Sequence, residues 1–304
     1  MPLHIQEVFG HGKLRVTGHF NIHVRWQKNL NLTDKGENDC DRPPEHLFLL
    51  QKSEETDEQC KKLKHLAEEH GFRVVHHHNE ANIIASIGGD GTFLQAVRKT
   101  NFRDDCLYVG VAKKGKAHLY ADFNIHDTDK MIEATNSEQI EVRKYPLIDV
   151  TVDGTSFQCL NEVSIRSSII KTFVMDVYID DLHFETFRGD GMIVSTPTGS
   201  TAYNKSVEGA VVDPLLPCIQ VTELASLNNN TYRTLGSPFI LSADRKLTLK
   251  IVQDGNDYPI IGLDNEAFST MHVKEVEVSL SGKMIKTIKL KDNSFWEKVR
   301  RTFL

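Results

Sequence analysis

"IIASIGGDGTFLQAV", residues 83–97, is the stretch on which the fold turns. Ile83 to Ile87 form a near-continuous apolar run, the pattern of a parallel strand covered on both faces. Gly88, Gly89, Asp90, Gly91 and Thr92 interrupt it, and Phe93, Leu94 and Val97 then recur at helical spacing. A strand, a glycine turn and a helix place this loop at the carboxyl edge of an open α/β sheet, where such sheets bind ligands. The glycines are expected to take positive φ and let a ligand approach the backbone. Thr92 is expected to cap the helix, whose first N–H groups suit a phosphate. A carboxylate in an anion cradle repels phosphate, so Asp90 needs another task. It could accept a hydroxyl proton, or help hold a cation that offsets the phosphate charge. An ordinary turn with an exposed aspartate is the plainer account, and the coincidence of three glycines with the carboxylate weighs against it. No G-x-x-x-x-G-K-[ST] and no complete G-x-G-x-x-G is present, which sets aside a P-loop and the usual dinucleotide fingerprint.

Outward from this turn, "HLFLLQ" (46–51) reads as a first strand and "DEQCKKLKHLAEEHGF" as a helix. Cys60, Leu63, Leu66 and Ala67 share one helix face and Gly71 is the expected C-cap. "RVVHHH", "NIIASIG" and "CLYVGVA" (106–112) read as three further strands. Strands alternating with helices indicate a parallel α/β sheet, here over residues 46–140. Near Tyr145 the rhythm changes. "PLIDVTVDG", "TSFQCLNEVSIRS", "FVMDVYIDDLHFETFRGDGMIVST", "PFILSADRKLTLKIV", "YPIIGLD" and "VKEVEVSLSGKMIKTIKL" are strand-like, with Asp-Gly and Ser-Gly pairs as expected turns. They define a β-rich second domain, residues 141–285. "NSFWEKVRRTFL" closes the chain as an amphipathic helix that should dock through Phe295, Trp296, Val299, Phe303 and Leu304. Residues 1–45 have no sustained period and end at Pro43 and Pro44, so they read as a disordered or non-native leader.

The chain's 304 residues suit two domains of ordinary size, and 39% apolar residues are enough for real cores in a soluble protein. A net charge of -6, with basic residues spread along the chain, argues against a nucleic-acid platform. No stretch approaches a membrane span, and the N-terminus has no apolar signal-peptide core. Cys40, Cys60, Cys106, Cys159 and Cys218 are scattered and odd in number, which favours reduced thiols in a cytoplasm over a disulfide framework or zinc site.

Two motifs in the second domain carry chemistry. "LNEVSIR" (160–166) puts Asn161 and Glu162 inside a strand otherwise suited to packing. Asn offers a donor and an acceptor to an adenine or ribose edge, and Glu accepts from hydroxyls; a polar pair at a strand edge is the alternative. "RGDGMIVSTPTGSTAYNKS" (188–206) supplies Arg188 and Asp190 at a turn and a hydroxyl-rich segment from Ser195 to Thr201. Tyr203 and Ser206 follow at the start of a helix. Hydroxyls and amides here could orient ribose and phosphate, and Tyr203 could pack on a base or nicotinamide ring; a surface turn rich in turn formers is the alternative.

With GGDGT, LNE, DG…STPTGSTAY and a late aspartate in that order over residues 46–304, the chain strongly resembles the NAD kinase family, in particular its short bacterial form. Lipid and diacylglycerol kinases share the GGDGT element without the Asn-Glu and TPTGSTAY pair. The resemblance implies ATP-dependent phosphorylation of the adenosine-ribose 2′-hydroxyl of NAD, giving NADP. It implies an N-terminal α/β domain with a parallel sheet, a β-sandwich-like C-terminal domain, a terminal segment (286–304) returning to the first domain, and homo-oligomers, dimers or tetramers. Carried over by position, Asp90 is the general base, with Gly91 beside it. Asn161 and Glu162 bind the adenosine portion. Thr198, Thr201, Ala202, Tyr203 and Ser206 line the adenine and ribose site. Arg188, Asp190 and Ala225 reach the nicotinamide half, partly from a neighbouring subunit. Tyr232 and Asp264 are further candidates, for each of which a buried structural role is the alternative. Mg²⁺ or another divalent cation would accompany ATP and offset its charge. A lipid or sugar kinase with the same glycine turn, and a non-catalytic NAD(P) sensor, are the rival readings.

One departure stands out. Where the family shows a Gly-x-Leu-Gly-Phe-like stretch, this chain has "KKGKAHLYAD" (113–122), with His118 at the second glycine, Leu119 at the aromatic position and Tyr120 as a candidate substitute. "KKGK" could touch phosphates or be a solvated loop. His76 to His78 should alternate across a strand and so cannot share a metal. Cys106 and Cys159 are expected as small buried hydrophobes.

Overall fold

The computed structural model describes residues 46–51, 57–113, 118–127, 131 and 139–304. The expected leader, residues 1–45, lies outside the described residues, as does "KKGK" apart from Lys113. The first half runs β1 (His46–Gln51), α1 (Asp57–Glu69), β2 (Arg73–Val74), β3 (Ile83–Ile87), α2 (Asp90–Lys99), β4 (Leu107–Ala112) and β5 (Ala121–Asn124). These strands pair in the order β2-β1-β3-β4-β5, all parallel. They are apolar on both faces because both faces are covered. Ile84 packs with Phe93, Val97 and Tyr108 on the α2 side, while Ile83, Ala85 and Ile87 join Leu63 on the α1 side. Gly71, at φ +82°, ends the α1 segment as expected.

β2 is shorter than "RVVHHH" suggested. Its pairing stops at Val74, and His78 opens a 3₁₀ turn to Glu80. The chain leaves the sheet because Asn82 turns back to His46, its side chain accepting the His46 N–H at 2.8 Å and its N–H donating to the His46 carbonyl at 3.1 Å. The three histidines therefore lie in the connection, not along a strand.

The second half contains β6 (Ile140–Val152), β7 (Thr155–Cys159), β8 (Glu162–Arg166), β9 (Phe173–Ile179), β10 (Leu182–Gly189) and β11 (Gly191–Ser195). The short helix α3 (Tyr203–Ser206) precedes β12 (Cys218–Leu224), β13 (Phe239–Ser242) and β14 (Lys246–Ile251). β15 (Ile260–Leu263), β16 (Glu266–Ser269), β17 (Glu275–Leu290) and α4 (Phe295–Phe303) complete the chain. One antiparallel sheet has the order β13-β12-β11-β8-β15-β16. It faces β10-β9-β14-β17 with β6 and β7, across a core that includes Val150, Ile165, Met175, Val194, Val221, Leu249 and Val276. The expected sandwich is present.

β17 ties the halves together. Its first part pairs antiparallel with β14 and β6, and Lys286 and Thr287 then pair parallel with Leu107 and Tyr108 of β4. The parallel strands and one layer of the sandwich are thus a single 11-stranded sheet. Ser281-Gly282, an expected turn, instead sits inside β17 at a bulge, where the register slips between Leu280 and Met284 opposite Pro146. The slip lets a long strand bend from one core to the other without leaving its partner. Asp153-Gly154 does turn the chain, with φ +45° and +83°, as a tight hairpin requires.

α4 begins at Ser294, whose Oγ accepts the Glu297 N–H at 3.1 Å. Its buried residues are Phe295 and Lys298, whereas Trp296, Phe303 and Leu304 are exposed. The expected apolar docking face is therefore corrected: the helix is anchored by Phe295 and by an ion pair from Lys298 to Asp122 on β5. Trp296 Nε1 also donates to Asp213 at 2.8 Å. No described helix is long and apolar enough to cross a membrane.

Candidate active site

The glycine turn sits where the sheet edge predicted it, with a different division of labour. Gly89 is the N-cap of α2 and Asp90 is its first residue, so the helix starts earlier than a Thr92 cap would place it. Thr92 lies buried inside the helix, against Gly88. Of the three glycines only Gly88 has positive φ (+156°), and a Cβ there would come within 2.3 Å of Thr92 Oγ1. Gly89 is extended, and a Cβ on it would meet the His118 ring at 3.1 Å, so the residue that departs from the family pattern rests on the turn itself. Gly91 is different. It has no positive φ, it is exposed, and a Cβ on it would meet no atom within 4 Å. Nothing in the protein demands a glycine there, and the space beside Asp90 is open to a ligand.

Asp90 is half-buried and held at both oxygens. Oδ2 accepts the Leu119 N–H at 2.9 Å and Oδ1 accepts the Tyr120 N–H at 2.8 Å. A carboxylate in the first turn is further favoured by the helix dipole. Tyr120 stacks on Phe93, with ring centroids 4.8 Å apart, and its hydroxyl donates to Asn161 Oδ1 at 2.6 Å. The glycine turn and the Asn-Glu pair, far apart in sequence, thus meet through one tyrosine.

Asn161 lies in the bend before β8, and Glu162 is the first residue of that strand, so the pair is not inside a strand as expected. Asp264 aims the segment: its carboxylate accepts the N–H groups of Leu160, Asn161 and Glu162 at 3.0, 2.7 and 3.2 Å. That is the structural role left open for it. Burial raises its pKa against the pull of these amides and of Arg98. Glu162 is buried, with Oε2 unpartnered. Burial, with Asp264 beside it, pushes its carboxyl up to about 8. This is a carboxyl group waiting for a partner.

The STPTGST segment folds over the same spot. Thr196 Oγ1 donates to the Leu160 carbonyl at 2.7 Å and accepts the Gly199 N–H at 2.9 Å. A Cβ on Gly199 would lie 2.0 Å from the Asn161 carbonyl, so only glycine permits this approach. Thr198 is fully buried with Oγ1 unpartnered, Thr201 and Ala202 are half-buried, and Ser206 is exposed. The Tyr203 hydroxyl accepts from Arg166 at 2.9 Å. Arg188, Asp190, Ala225 and Tyr232 gather at the other end of β11. The Arg188 guanidinium sits 4.3 Å from the Tyr232 ring centroid, and the Asp190 N–H donates to the Leu224 carbonyl at 2.8 Å.

Comparison with known proteins gives the chain's family and fold. A family model described as "ATP-NAD kinase C-terminal domain" matches residues 160–290. NAD kinase 2 of Bacillus licheniformis is 96% identical over 257 residues, covering 84% of this chain and 97% of that protein. NAD kinase 2 of Bacillus subtilis is 78% identical over 258 residues, with the same coverage. The chain belongs to the NAD kinase family. Two solved structures share the fold. A yeast NADH kinase complexed with NADH has a TM-score of 0.72 at 17% identity, covering 86% of this chain and 87% of its own. An NAD kinase from Archaeoglobus fulgidus in complex with ATP has a TM-score of 0.68 at 21% identity, covering 84% and 99%.

In this NAD kinase family member the structure adds residues that sequence reasoning missed. Arg98, in the last turn of α2, reaches the second half: it donates to the Leu263 carbonyl at 2.5 Å and pairs with Glu266 at 2.7 Å. Asn265 Nδ2 donates to the Gly91 carbonyl at 3.3 Å. Asn204, rather than Ser206, is the buried polar residue of α3, accepting from the Thr222 hydroxyl at 2.6 Å. None of the three lies in an unusual local pattern. The neighbouring "GLDNE" was the one available signal for Asn265.

Proposed function

We propose that this chain is an NAD kinase that uses ATP to phosphorylate the 2′-hydroxyl of the adenosine ribose of NAD. The observation that carries the reading is Asp90: its carboxylate is fixed by two backbone amides beside a glycine whose missing side chain leaves open space. In the reaction the 2′-hydroxyl oxygen attacks the γ-phosphorus and the bond to ADP breaks. Asp90 takes the hydroxyl proton. The α2 N-terminus faces phosphate charge with N–H groups that have no partner within the helix. Asn161, Glu162 and Thr198 hold the adenosine portion, where an unpartnered Glu162 oxygen and Thr198 hydroxyl would find partners. Thr201, Ala202, Tyr203 and Ser206 flank it. Arg188, Asp190 and Ala225 serve the nicotinamide half.

Mg²⁺ or another divalent cation would arrive with ATP and offset charge on the transferred phosphoryl group. Among the described residues no group of three or more His, Cys, Asp or Glu could hold a metal ion. Asp90, with open space beside it at Gly91, is the carboxylate that would help hold a cation bound mainly by the substrate phosphates. We also infer a homo-oligomer, dimer or tetramer, supported by exposed Leu182 and Phe184 on the edge strand β10 and exposed Ile240 on the edge strand β13. A cytoplasmic location is supported by the buried thiols of Cys106, Cys159 and Cys218.

The test is ADP release with and without NAD, with the product identified as NADP. NAD-dependent release is expected; ADP release that ignores NAD but responds to a lipid or sugar would favour the rival kinase reading. Binding of NAD without turnover would favour a sensor. In the same assay Asp90→Asn should bind NAD while losing about 10²- to 10⁴-fold in kcat, the usual cost of removing a general base. A loss of only a few-fold would reduce Asp90 to a positioning group.

A further inference from the structure

Two lysines at the end of the chain are buried beside the loop that holds Asp90. Lys289, on β17, and Lys298, on α4, are 0% and 1% exposed. We propose that they are positioning residues for phosphoryl transfer, acting through the Leu119–Tyr120 peptide on Asp90; this rests on the reading of Asp90 as the base.

The geometry is one peptide long. Lys289 Nζ and Lys298 Nζ each donate to the Leu119 carbonyl oxygen at 2.8 Å. The N–H of that same peptide unit belongs to Tyr120 and donates to Asp90 Oδ1 at 2.8 Å. The preceding N–H, of Leu119, holds Oδ2. Two Nζ–H donors on one carbonyl draw electron density toward its oxygen and make the attached N–H a stronger donor, because linked hydrogen bonds polarise one another. The lysines also pin the loop from behind, so both Asp90 oxygens stay oriented beside the open space at Gly91.

A structural ion pair would need only one of these lysines. The cluster contains a single buried carboxylate, Asp122, which lies 2.6 Å from Lys298 and 3.9 Å from Lys289. Asp122 also accepts from the Asn293 side chain. Among the described residues Lys289 has the Leu119 carbonyl as its one close acceptor, with the Tyr145 ring centroid 5.0 Å from its Nζ. Burial and the charge of Lys298 both disfavour its ammonium form. A leucine or methionine would place no second amine beside Lys298, and burying an incompletely satisfied polar group costs more than burying an apolar one. The acceptor it does satisfy is the one coupled to Asp90.

The experiment compares Lys289→Met, Lys289→Arg and the double variant Lys298→Met/Asp122→Asn, which removes a charge pair together and so strands neither partner. Steady-state kinetics with ATP and NAD and the thermal midpoint are measured for each, alone and combined with Asp90→Asn. Expected are a fall in kcat of about tenfold or more with KM for NAD within about twofold, the split that marks an interaction used in the transition state. Lys289→Arg should recover part of the loss, and Lys289→Met should cost little more on top of Asp90→Asn. If Lys289→Met does not fold, the double variant carries the same comparison. A kcat within about twofold of wild type in the folded variants overturns the proposal, as does a full further loss in the Asp90→Asn background. Failure of the wild-type chain to release ADP in response to NAD would instead overturn the function it rests on.

Discussion

Gly91 and Glu162 are single residues of the candidate site whose replacement separates fold from function. A methyl group at position 91 meets no protein atom, and alanine is the better helix former by up to about 1 kcal/mol. Gly91→Ala should therefore keep or slightly raise the thermal midpoint while lowering kcat/KM by on the order of tenfold, because the methyl fills the approach to Asp90. A variant with unaltered kinetics would show that no substrate passes that point. Glu162 gives a pH test. Its pKa is raised to about 8 in the fold, so the folded protein keeps its proton between the ordinary carboxylate range and about 8 while the unfolded chain loses it. The folded state binds more protons in that window, and the Glu162 contribution to stability declines as pH rises through it. Glu162→Gln should match wild type near pH 4.5 and melt a few degrees higher at pH 8.5, as thermal scans at the two values would establish. A gap that stays constant with pH would contradict the raised pKa. The carboxylate and the glycine were both legible in "GGDGT" and "LNE". Which of the glycines is forced by backbone and which is left open was not, because φ and free space at a residue depend on neighbours distant in sequence.

At the scale of elements, the site is a junction between the start of α2 and the start of β8. Asp264 carries the β8 side by binding three consecutive amides, and Arg98 carries the α2 side by reaching the Leu263 carbonyl and Glu266. Arg98→Met should lower stability by about 1–3 kcal/mol, the cost of leaving buried acceptors without a donor. It should raise KM for NAD more than it lowers kcat, since the chemistry at Asp90 is held by a separate loop. Denaturant midpoints and initial rates would check both, and an unchanged KM would place Arg98 outside the dinucleotide site. Strands and helices with strong periodicity, such as β3, β4 and α1, follow from local pattern. The short β2 and the bulge at Ser281-Gly282 do not. The first is ended by Asn82 bonding back to His46, and the second by pairing across Pro146; both are decisions made by a partner strand.

For the whole molecule, β17 decides the mechanics. It contributes Val276 and Val278 to the sandwich core, Ile285 to the core under α2 and Ile288 to the core under α1. Halves that share a sheet and two cores should not melt apart. A single unfolding transition is expected, with the calorimetric enthalpy equal to the van't Hoff value. Two resolved transitions would mean that the sheet parts at the β17–β4 pairing. The same strand delivers Lys289 to the loop behind Asp90, and α4 delivers Lys298, so the last elements of the chain are built against the loop that holds that carboxylate.

By itself the sequence determined the fold class and the chemical vocabulary of the site. A buried apolar run before glycines makes a parallel strand and a ligand-facing turn, and alternating apolar residues make sandwich strands, because both patterns answer to local geometry and burial. It also supplied the residues proposed for the chemistry: Asp90, Asn161, Glu162 and the threonines. Only the tertiary structure decided who holds whom. Tyr120 joins the two motifs, Asp264 aims the second, Arg98 crosses between the halves, and α4 is fastened by a buried lysine where its pattern offered aromatic residues. These contacts join residues far apart in the chain, and an ordinary arginine, asparagine or lysine carries no local sign of the partner that folding will bring to it.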